Sequence, residues 1–112
     1  MNEERLKKII EEAEEVAKKL INSEKSPPSK TQIKNLSGVL MSGHPVKGQA
    51  NVLHLEKYLL HQAGRRFAWA NVLLEEMKRR GYFEASYEEV ESFLGYLNWC
   101  YEYEDYKKGG KR

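Results

Sequence analysis

Three kinds of feature are scarce in this 112-residue chain, and each scarcity excludes a class of protein. Cys100 is the single cysteine, so no disulfide can form within the chain, and a reducing compartment is the expected location. No apolar run approaches the roughly 18 residues that a membrane span requires. The first residues, MNEERLKK, are charged and do not resemble a signal peptide. We therefore expect a cytoplasmic protein that does not bind a membrane.

The sequence also lacks the alternation of apolar and polar residues that is typical of strands. Apolar residues recur instead every three or four positions, which is the period of a helix face. We predict an all-α fold, a single domain over residues 1–112 built as a bundle of four to five helices. The predicted helices cover about residues 2–24, 30–42, 51–80 and 87–107.

Local signals place the starts of two of these helices. Ser29 followed by Gln32, and Ser86 followed by Glu89, match the capping box, in which both side chains bond to backbone N–H groups. The two prolines in SEKSPPS cannot continue the first helix. A loop of roughly eight residues, SGHPVKGQA, is expected after the second helix and leaves His44 and Lys47 available to a partner.

The stretch from Asn51 to Gly81 predicts one long central helix. Asn51 is a candidate cap at its start, and Gly81 is a candidate left-handed stop at its end. Its apolar period runs through Gly64 without a change of phase. The members of that stripe are Val52, Leu55, Leu59, Ala63, Phe67, Ala70, Leu74 and Met77.

Acidic residues are nearly absent from the middle of the chain. Residues 25–74 contain seven Lys or Arg against Glu56 alone, whereas the segments on either side each carry a net charge of −2. A solvated helix face normally mixes both signs, so this segregation favours an anionic partner. On a wheel with 100° per residue, His54, Lys57, His61 and Arg65 align opposite the apolar stripe.

The last helix has large aromatic residues on the side away from its expected core face. Its core face comprises Val90, Phe93, Leu94, Leu97, Cys100 and Tyr101, and the opposite side carries Tyr96, Trp99, Tyr103 and Tyr106. A surface helix in a monomer should be polar there. This aromatic strip, defined as those last four residues, predicts either packing against the first helix or a subunit interface with self-association.

Three motifs in order suggest a family. They are TQIKNL in the second helix, HQAGR in the long helix, and a C-terminal F-L-x-Y-L-x-W-x-Y-x-Y-E-x-Y-K-K-G-G tail. Together they resemble the small subunit of the Csm complex, the type III-A CRISPR effector of antiviral defence. The resemblance covers residues 31–110. The family commonly has Arg where this chain has Lys34, and the loop over residues 42–50 does not align with it.

The resemblance implies a non-catalytic helical subunit that contacts target RNA along the guide–target duplex and touches neighbouring Csm-type subunits. Of the cationic residues, Lys34 and Arg65 match family motif positions. Together with the charge pattern it predicts an RNA-binding set composed of Lys30, Lys34, Lys57, Tyr58, His61, Arg65 and Arg66. Tyr58 or Trp69 is expected to stack on a splayed base. Arg66 lies nearer the apolar sector, where a buried ion pair or subunit contact is equally compatible with the pattern.

Catalytic and metal-binding patterns are missing. His54 and His61 are seven residues apart, unlike the i,i+4 spacing of a helical zinc pair. No glycine-rich phosphate loop and no Ser-His-Asp or Cys-His arrangement can be found. We therefore expect neither an enzyme nor a bound metal or other cofactor. Two alternatives remain, a helix-turn-helix-like DNA-binding regulator that includes SKTQIKNLSGVL, and an oligomeric helical adaptor without nucleic acid.

Overall fold

The computed structural model of the chain describes residues 1–23 and 27–109 and is all-helical within those ranges. It contains five α-helices, α1 (Glu3–Ile21), α2 (Lys30–Ser42), α3 (Gln49–Gly64), α4 (Ala68–Arg79) and α5 (Tyr87–Lys107), with a short 3-10 turn at Tyr82–Glu84. The predicted all-α bundle is confirmed. The first helix ends at Ile21 with Asn22 as its C-cap, so the predicted end at about residue 24 is too late, and residue 24 itself lies outside the described residues.

The two capping boxes predicted from sequence are present. The Ser29 hydroxyl accepts from the Gln32 N–H, and the Gln32 side chain accepts from the Ser29 N–H at 2.8 Å. Ser86 and Glu89 repeat this arrangement at the start of α5. Each box satisfies two backbone donors that a helix start otherwise leaves without partners.

The prediction of one long helix over residues 51–80 is wrong, because the chain turns between α3 and α4. Arg66 has a φ of +72°, in the left-handed region. The Arg66 N–H donates to Ala63 O at 3.1 Å and the Phe67 N–H donates to Gln62 O at 3.2 Å, which is the Schellman pattern of a helix end. The apolar period continues across this turn because both helices face one core.

Asn51 does not cap α3 from outside but lies within its first turn, fully buried. Its side-chain oxygen accepts from the Gly48 N–H at 2.9 Å, and its amide nitrogen donates to Leu40 O at 2.9 Å and to His44 O at 3.2 Å. One buried side chain thus holds both ends of the six-residue loop between α2 and α3. Burial of this amide is tolerated because its hydrogen-bonding groups have partners.

The core lies where α1 and α5 pack along each other, with α2 on α5, α4 on α1, and α3 in contact with both α2 and α4. Gly81 ends the α4 region in the left-handed conformation, with φ +80°, as the sequence predicts. The buried tyrosine that follows, Tyr82, stacks on Phe93 with ring centroids 4.3 Å apart and donates to Glu12 Oε1 at 2.6 Å. No helix in the described part of the chain is long and apolar enough to cross a membrane.

Candidate nucleic-acid interface

The outer side of α3 carries three of the predicted RNA-binding residues. Lys57, His61 and Arg65 are exposed, while the opposite side of the same helix buries Val52 and Leu55 in the core. The helical spacing that predicts this division is therefore realised up to the end of α3. Phosphates spaced along a strand can reach these side chains from solvent without any change in the core.

Arg66 is exposed on the turn that follows α3. Among residues 1–23 and 27–109 no carboxylate lies within ion-pair distance of its guanidinium, so the alternative of a buried ion pair is wrong. On a continuous helical wheel, Arg66 lies near the apolar sector. Because α3 ends before Arg66, the wheel does not apply to this residue, and its side chain is exposed. Its neighbour Arg65 lies over the Phe67 ring, 5.7 Å from the ring centroid, and this contact positions that guanidinium at the surface.

Trp69 does not flank the basic residues as a continuous wheel predicts. Its side chain is only 2% exposed, and no partner accepts from its buried indole N–H among the described residues. The turn at Arg66 changes the orientation of α4 relative to α3, so the wheel drawn through both helices misplaces Trp69, although Ala70, Leu74 and Met77 of the predicted stripe are buried. A base cannot stack on Trp69 in this conformation. Tyr58 is half-buried and packs against the core with part of its surface accessible.

The remaining two predicted RNA-binding residues, Lys30 and Lys34, lie on α2 next to α5. The Lys30 ammonium lies 4.0 Å from a carboxylate oxygen of Asp105, and both side chains are partly accessible. Lys34 is exposed at the mouth of a groove between α2 and α5. The predicted set therefore falls into two groups, one on α2 and one on α3 with its following turn.

Several cations elsewhere in the molecule belong to an acidic network. The Arg80 side chain is only 8% exposed and lies 3.5 Å from Glu12, 3.0 Å from Glu15 and 3.1 Å from Glu76. Arg5 is paired with Glu89 at 2.7 Å. The sequence analysis missed this network because its members come from α1, α4 and α5 and have no shared motif.

Four cations on α2, on α3 and on the turn after α3 have a different environment. Within the described ranges, no carboxylate lies within 4.0 Å of the charged nitrogens of Lys34, Lys57, Arg65 or Arg66. Glu56 is the only acidic residue in residues 27–74. These four cations are consequently available to pair with an external anion.

The aromatic strip on α5 is largely accessible to solvent. Trp99 is 69% exposed, Tyr103 59% and Tyr106 69%, whereas Tyr96 is partly buried against the core. The core side of α5 packs on α1, so the first helix does not cover these three residues. Lys107 holds its ammonium 4.9 Å from the Tyr103 ring centroid. The interpretation of the strip as intramolecular packing against α1 is wrong for Trp99, Tyr103 and Tyr106.

The groove between α2 and α5 has a volume of about 430 Å³ and is a feature that the sequence analysis missed. The residues lining it include Lys34 from α2 and, from α5, Ser92, Gly95, Tyr96, Asn98 and Trp99. Tyr96 meets Trp99 edge to face, with ring centroids 5.8 Å apart. The side-chain oxygen of Asn98 is buried and accepts no hydrogen bond from any described residue. We call this feature the α2–α5 groove.

The loop between α2 and α3 uses its polar residues for its own structure. The Lys47 ammonium donates to Met41 O at 2.7 Å and so binds the free carbonyl end of α2. The His44 ring nitrogen accepts from the Val46 N–H at 3.1 Å. Both contacts are local, and both side chains remain exposed.

Cys100, expected on the core face of α5, is partly buried there. Burial raises the pKa of its thiol, and Glu14 and Glu104 raise that pKa further, so the nucleophilic thiolate is disfavoured. Across residues 1–23 and 27–109, no group of three or more His, Cys, Asp or Glu side chains is arranged to hold a metal ion.

The fold and the site define an all-α helical bundle with exposed cations on two adjoining helices. Scans of the chain against protein-family models, characterised proteins and solved structures return no significant match.

Proposed function

We propose that this chain is a non-catalytic small subunit of a type III-A CRISPR effector complex that contacts target RNA along the guide–target duplex. It binds through Lys34, Lys57, Arg65 and Arg66, and other Csm-type subunits are its protein partners. The proposal rests on the three sequence motifs and on one structural observation. That observation is the group of four exposed cations without carboxylate partners in the described structure.

The charge arrangement favours a nucleic-acid backbone over a single small anion. Lys34 is on α2, Lys57 is in the middle of α3, and Arg65 and Arg66 are at the end of α3, so the cations are distributed along two helices. Phosphates spaced along a strand can neutralise such a distribution, and the released counterions drive binding. Backbone contacts carry no base information, so these four residues are expected to tolerate any RNA sequence.

A helix-turn-helix-like DNA regulator fits the geometry less well. The loop between α2 and α3 has six residues, whereas the motif ordinarily has a turn of 3–4 residues. An RNA strand that lies across α2 and α3 needs no such turn.

Charge reversal tests this proposal. We expect the triple variant Lys34→Glu, Lys57→Glu and Arg65→Glu to weaken binding of single-stranded and guide-paired RNA, both by the isolated chain and by the assembled complex. The slope of log affinity against log salt should become shallower by about 2, because each lost phosphate contact changes it by about 0.7 for a single strand. Fluorescence anisotropy over a series of salt concentrations measures both quantities.

The matched control reverses three other exposed lysines, Lys7, Lys8 and Lys78, and changes the net charge equally. It should retain most of the RNA affinity. If both variants lose affinity equally, binding reflects net charge alone and the interface is assigned incorrectly. If the wild-type chain and its complex with the other subunits bind no RNA at low salt, the protein is an adaptor. Preference for duplex DNA would support the regulator instead.

A further inference from the structure

We propose that the α2–α5 groove is a subsite for one unstacked base of the bound RNA strand. Trp99 provides the stacking surface, and Lys34 binds the adjoining phosphate. This inference rests on the proposed RNA-binding function and adds a site that the cationic residues of α3 do not include.

The size and composition of the groove suit a ligand with an aromatic ring. Its volume of about 430 Å³ falls within the range of about 300–1,000 Å³ that is typical of small-ligand sites. Tyr96 is anchored against the core and meets Trp99 edge to face, so the tryptophan is supported on one side. Its ring remains 69% exposed. Single-stranded RNA is commonly bound by such aromatic surfaces next to a cation.

Asn98 lines the groove, but its side-chain oxygen is buried beneath the surface and has no hydrogen-bond donor among the described residues. A ligand in the groove does not reach this atom in the described conformation. Recognition there rests on stacking and charge, which every base can satisfy.

Lys34 is the only charged residue that lines the groove in the described structure, and no carboxylate there pairs with it. A phosphate attached to the stacked nucleotide provides the missing negative charge. A second copy of this chain that inserted its own tyrosines would bury the Lys34 ammonium without an anionic partner. Burial of unpaired polar groups is costly, so the nucleotide is the better occupant.

Gly95 allows the groove to be filled without damage to the helix. A Cβ atom placed on Gly95 meets nothing within 4 Å, so a side chain there extends into open space. Leucine is also a better helix former than glycine. Gly38 on α2 is an exposed helical glycine with equally free surroundings, and it is not among the residues that line the groove.

Tryptophan fluorescence provides a direct measurement because the chain contains two tryptophans, Trp69 and Trp99. In a Trp69→Phe background, Trp99 is the only tryptophan. We expect its fluorescence to be quenched on titration with a 12-nucleotide oligoadenylate, and more weakly with AMP. Inorganic phosphate alone should cause no quenching. In the converse variant Trp99→Phe, the buried Trp69 should not respond.

Gly95→Leu should weaken oligoadenylate binding by about fivefold or more, the loss that corresponds to removal of one stacked base. Gly38→Leu should leave the affinity unchanged. Circular dichroism of each variant confirms that helical content is retained.

Three outcomes would overturn the subsite. The first is that oligoadenylate binds Gly95→Leu as tightly as the parent. The second is that AMP binds the parent as tightly as the oligomer does. The third is that Gly95→Leu dissociates an oligomer of the chain. The first removes the groove from RNA binding, the second makes it a mononucleotide site, and the third assigns it to a second copy. In the first case, loss of RNA binding on reversal of Lys57 and Arg65 would still support the proposed function. That function fails instead if no RNA binds the parent.

Discussion

At the scale of single residues, Arg66 has the largest effect on the shape of the candidate interface. It is the only non-glycine residue with a positive φ in the described parts of the chain. A left-handed conformation costs an L-residue about 1–2 kcal/mol, which explains why glycine usually occupies this position of a Schellman motif. The arginine places a cation at the turn between α3 and α4 at some cost in stability.

Replacement of Arg66 by glycine should therefore stabilise the protein. We expect the free energy of unfolding to increase by about 1 kcal/mol for Arg66→Gly, because relief of the strain outweighs the greater entropy of glycine in the unfolded chain. Arg66→Ala retains the strained Cβ and should give no such gain. Urea denaturation of the three proteins measures the difference. Equal stability of Arg66→Gly and Arg66→Ala would contradict the assigned backbone conformation.

Arg66→Gly is expected to have opposite effects on stability and on RNA affinity. Arg66→Gly removes one exposed cation, so RNA affinity should fall modestly while stability rises. Arg66→Lys retains the charge and should bind RNA nearly as well as the parent.

At the scale of secondary-structure elements, the contact between α1 and α4 depends on Glu76. Its carboxylate accepts from Lys19 at 2.9 Å, Arg79 at 2.6 Å and Arg80 at 3.1 Å. Burial opposes ionisation, but these three hydrogen bonds outweigh it and lower the pKa of Glu76 from its ordinary value of 4.5 to about 2. Ionised Glu76 therefore stabilises the folded chain.

This shift predicts a defined dependence of stability on pH. Because the folded pKa lies below the unfolded one, the contribution is complete above about pH 4.5 and is lost as the pH falls towards 2. At pH 7, Glu76→Gln should lower the free energy of unfolding by about 1–2 kcal/mol, after allowance for solvent screening. The difference in the free energy of unfolding between Glu76→Gln and the parent should become smaller near pH 2 to 3.

Glu75→Gln is the matched control, since Glu75 is exposed on the same helix and has no ion pair within the described residues. Denaturation midpoints measured from pH 7 to pH 2 should differ little between this variant and the parent. A pH-independent deficit in Glu76→Gln would show that packing, and not the charge, determines the effect.

At the scale of the whole molecule, the exposed aromatic strip on α5 is the feature that a monomer leaves unexplained. Trp99, Tyr103 and Tyr106 are each more than half exposed on a helix whose other side packs on α1. Tyrosine and tryptophan are common in interface hot spots because they combine a large apolar area with a polar end. We expect Tyr103 and Tyr106 to form the contact between copies of this chain, with Trp99 at the edge of the α2–α5 groove.

Substitution of both tyrosines tests this contact. Tyr103→Ser with Tyr106→Ser should shift sedimentation towards the monomer, or lower the number of copies in the assembled complex, because it removes apolar area worth roughly 25 cal/mol per Å². Helical content should be unchanged. The matched control replaces Leu53 and Leu60, which are also large exposed apolar residues, by serine on α3. If the control dissociates the copies and the α5 variant does not, the interface is on α3.

The sequence by itself determined the all-helical fold, two of the helix starts and most of the core faces. The capping boxes at Ser29 and Ser86 act through hydrogen bonds between residues three apart, so local chemistry is sufficient to place those helix starts. The apolar period likewise identifies the buried sides of α1 and α5, because residues on one helix face must share one environment. The exposure of Lys57 and Arg65 follows from the same period.

Only the tertiary structure decided the turn at Arg66 and the burial of Trp69. No local signal marks the turn, since Gly64 precedes the left-handed position by two residues and the apolar period continues beyond it. The Arg80 network and the α2–α5 groove join residues separated by more than fifty positions. Contacts at that separation depend on how whole helices pack, and the pattern along one helix carries no information about which neighbour it will meet.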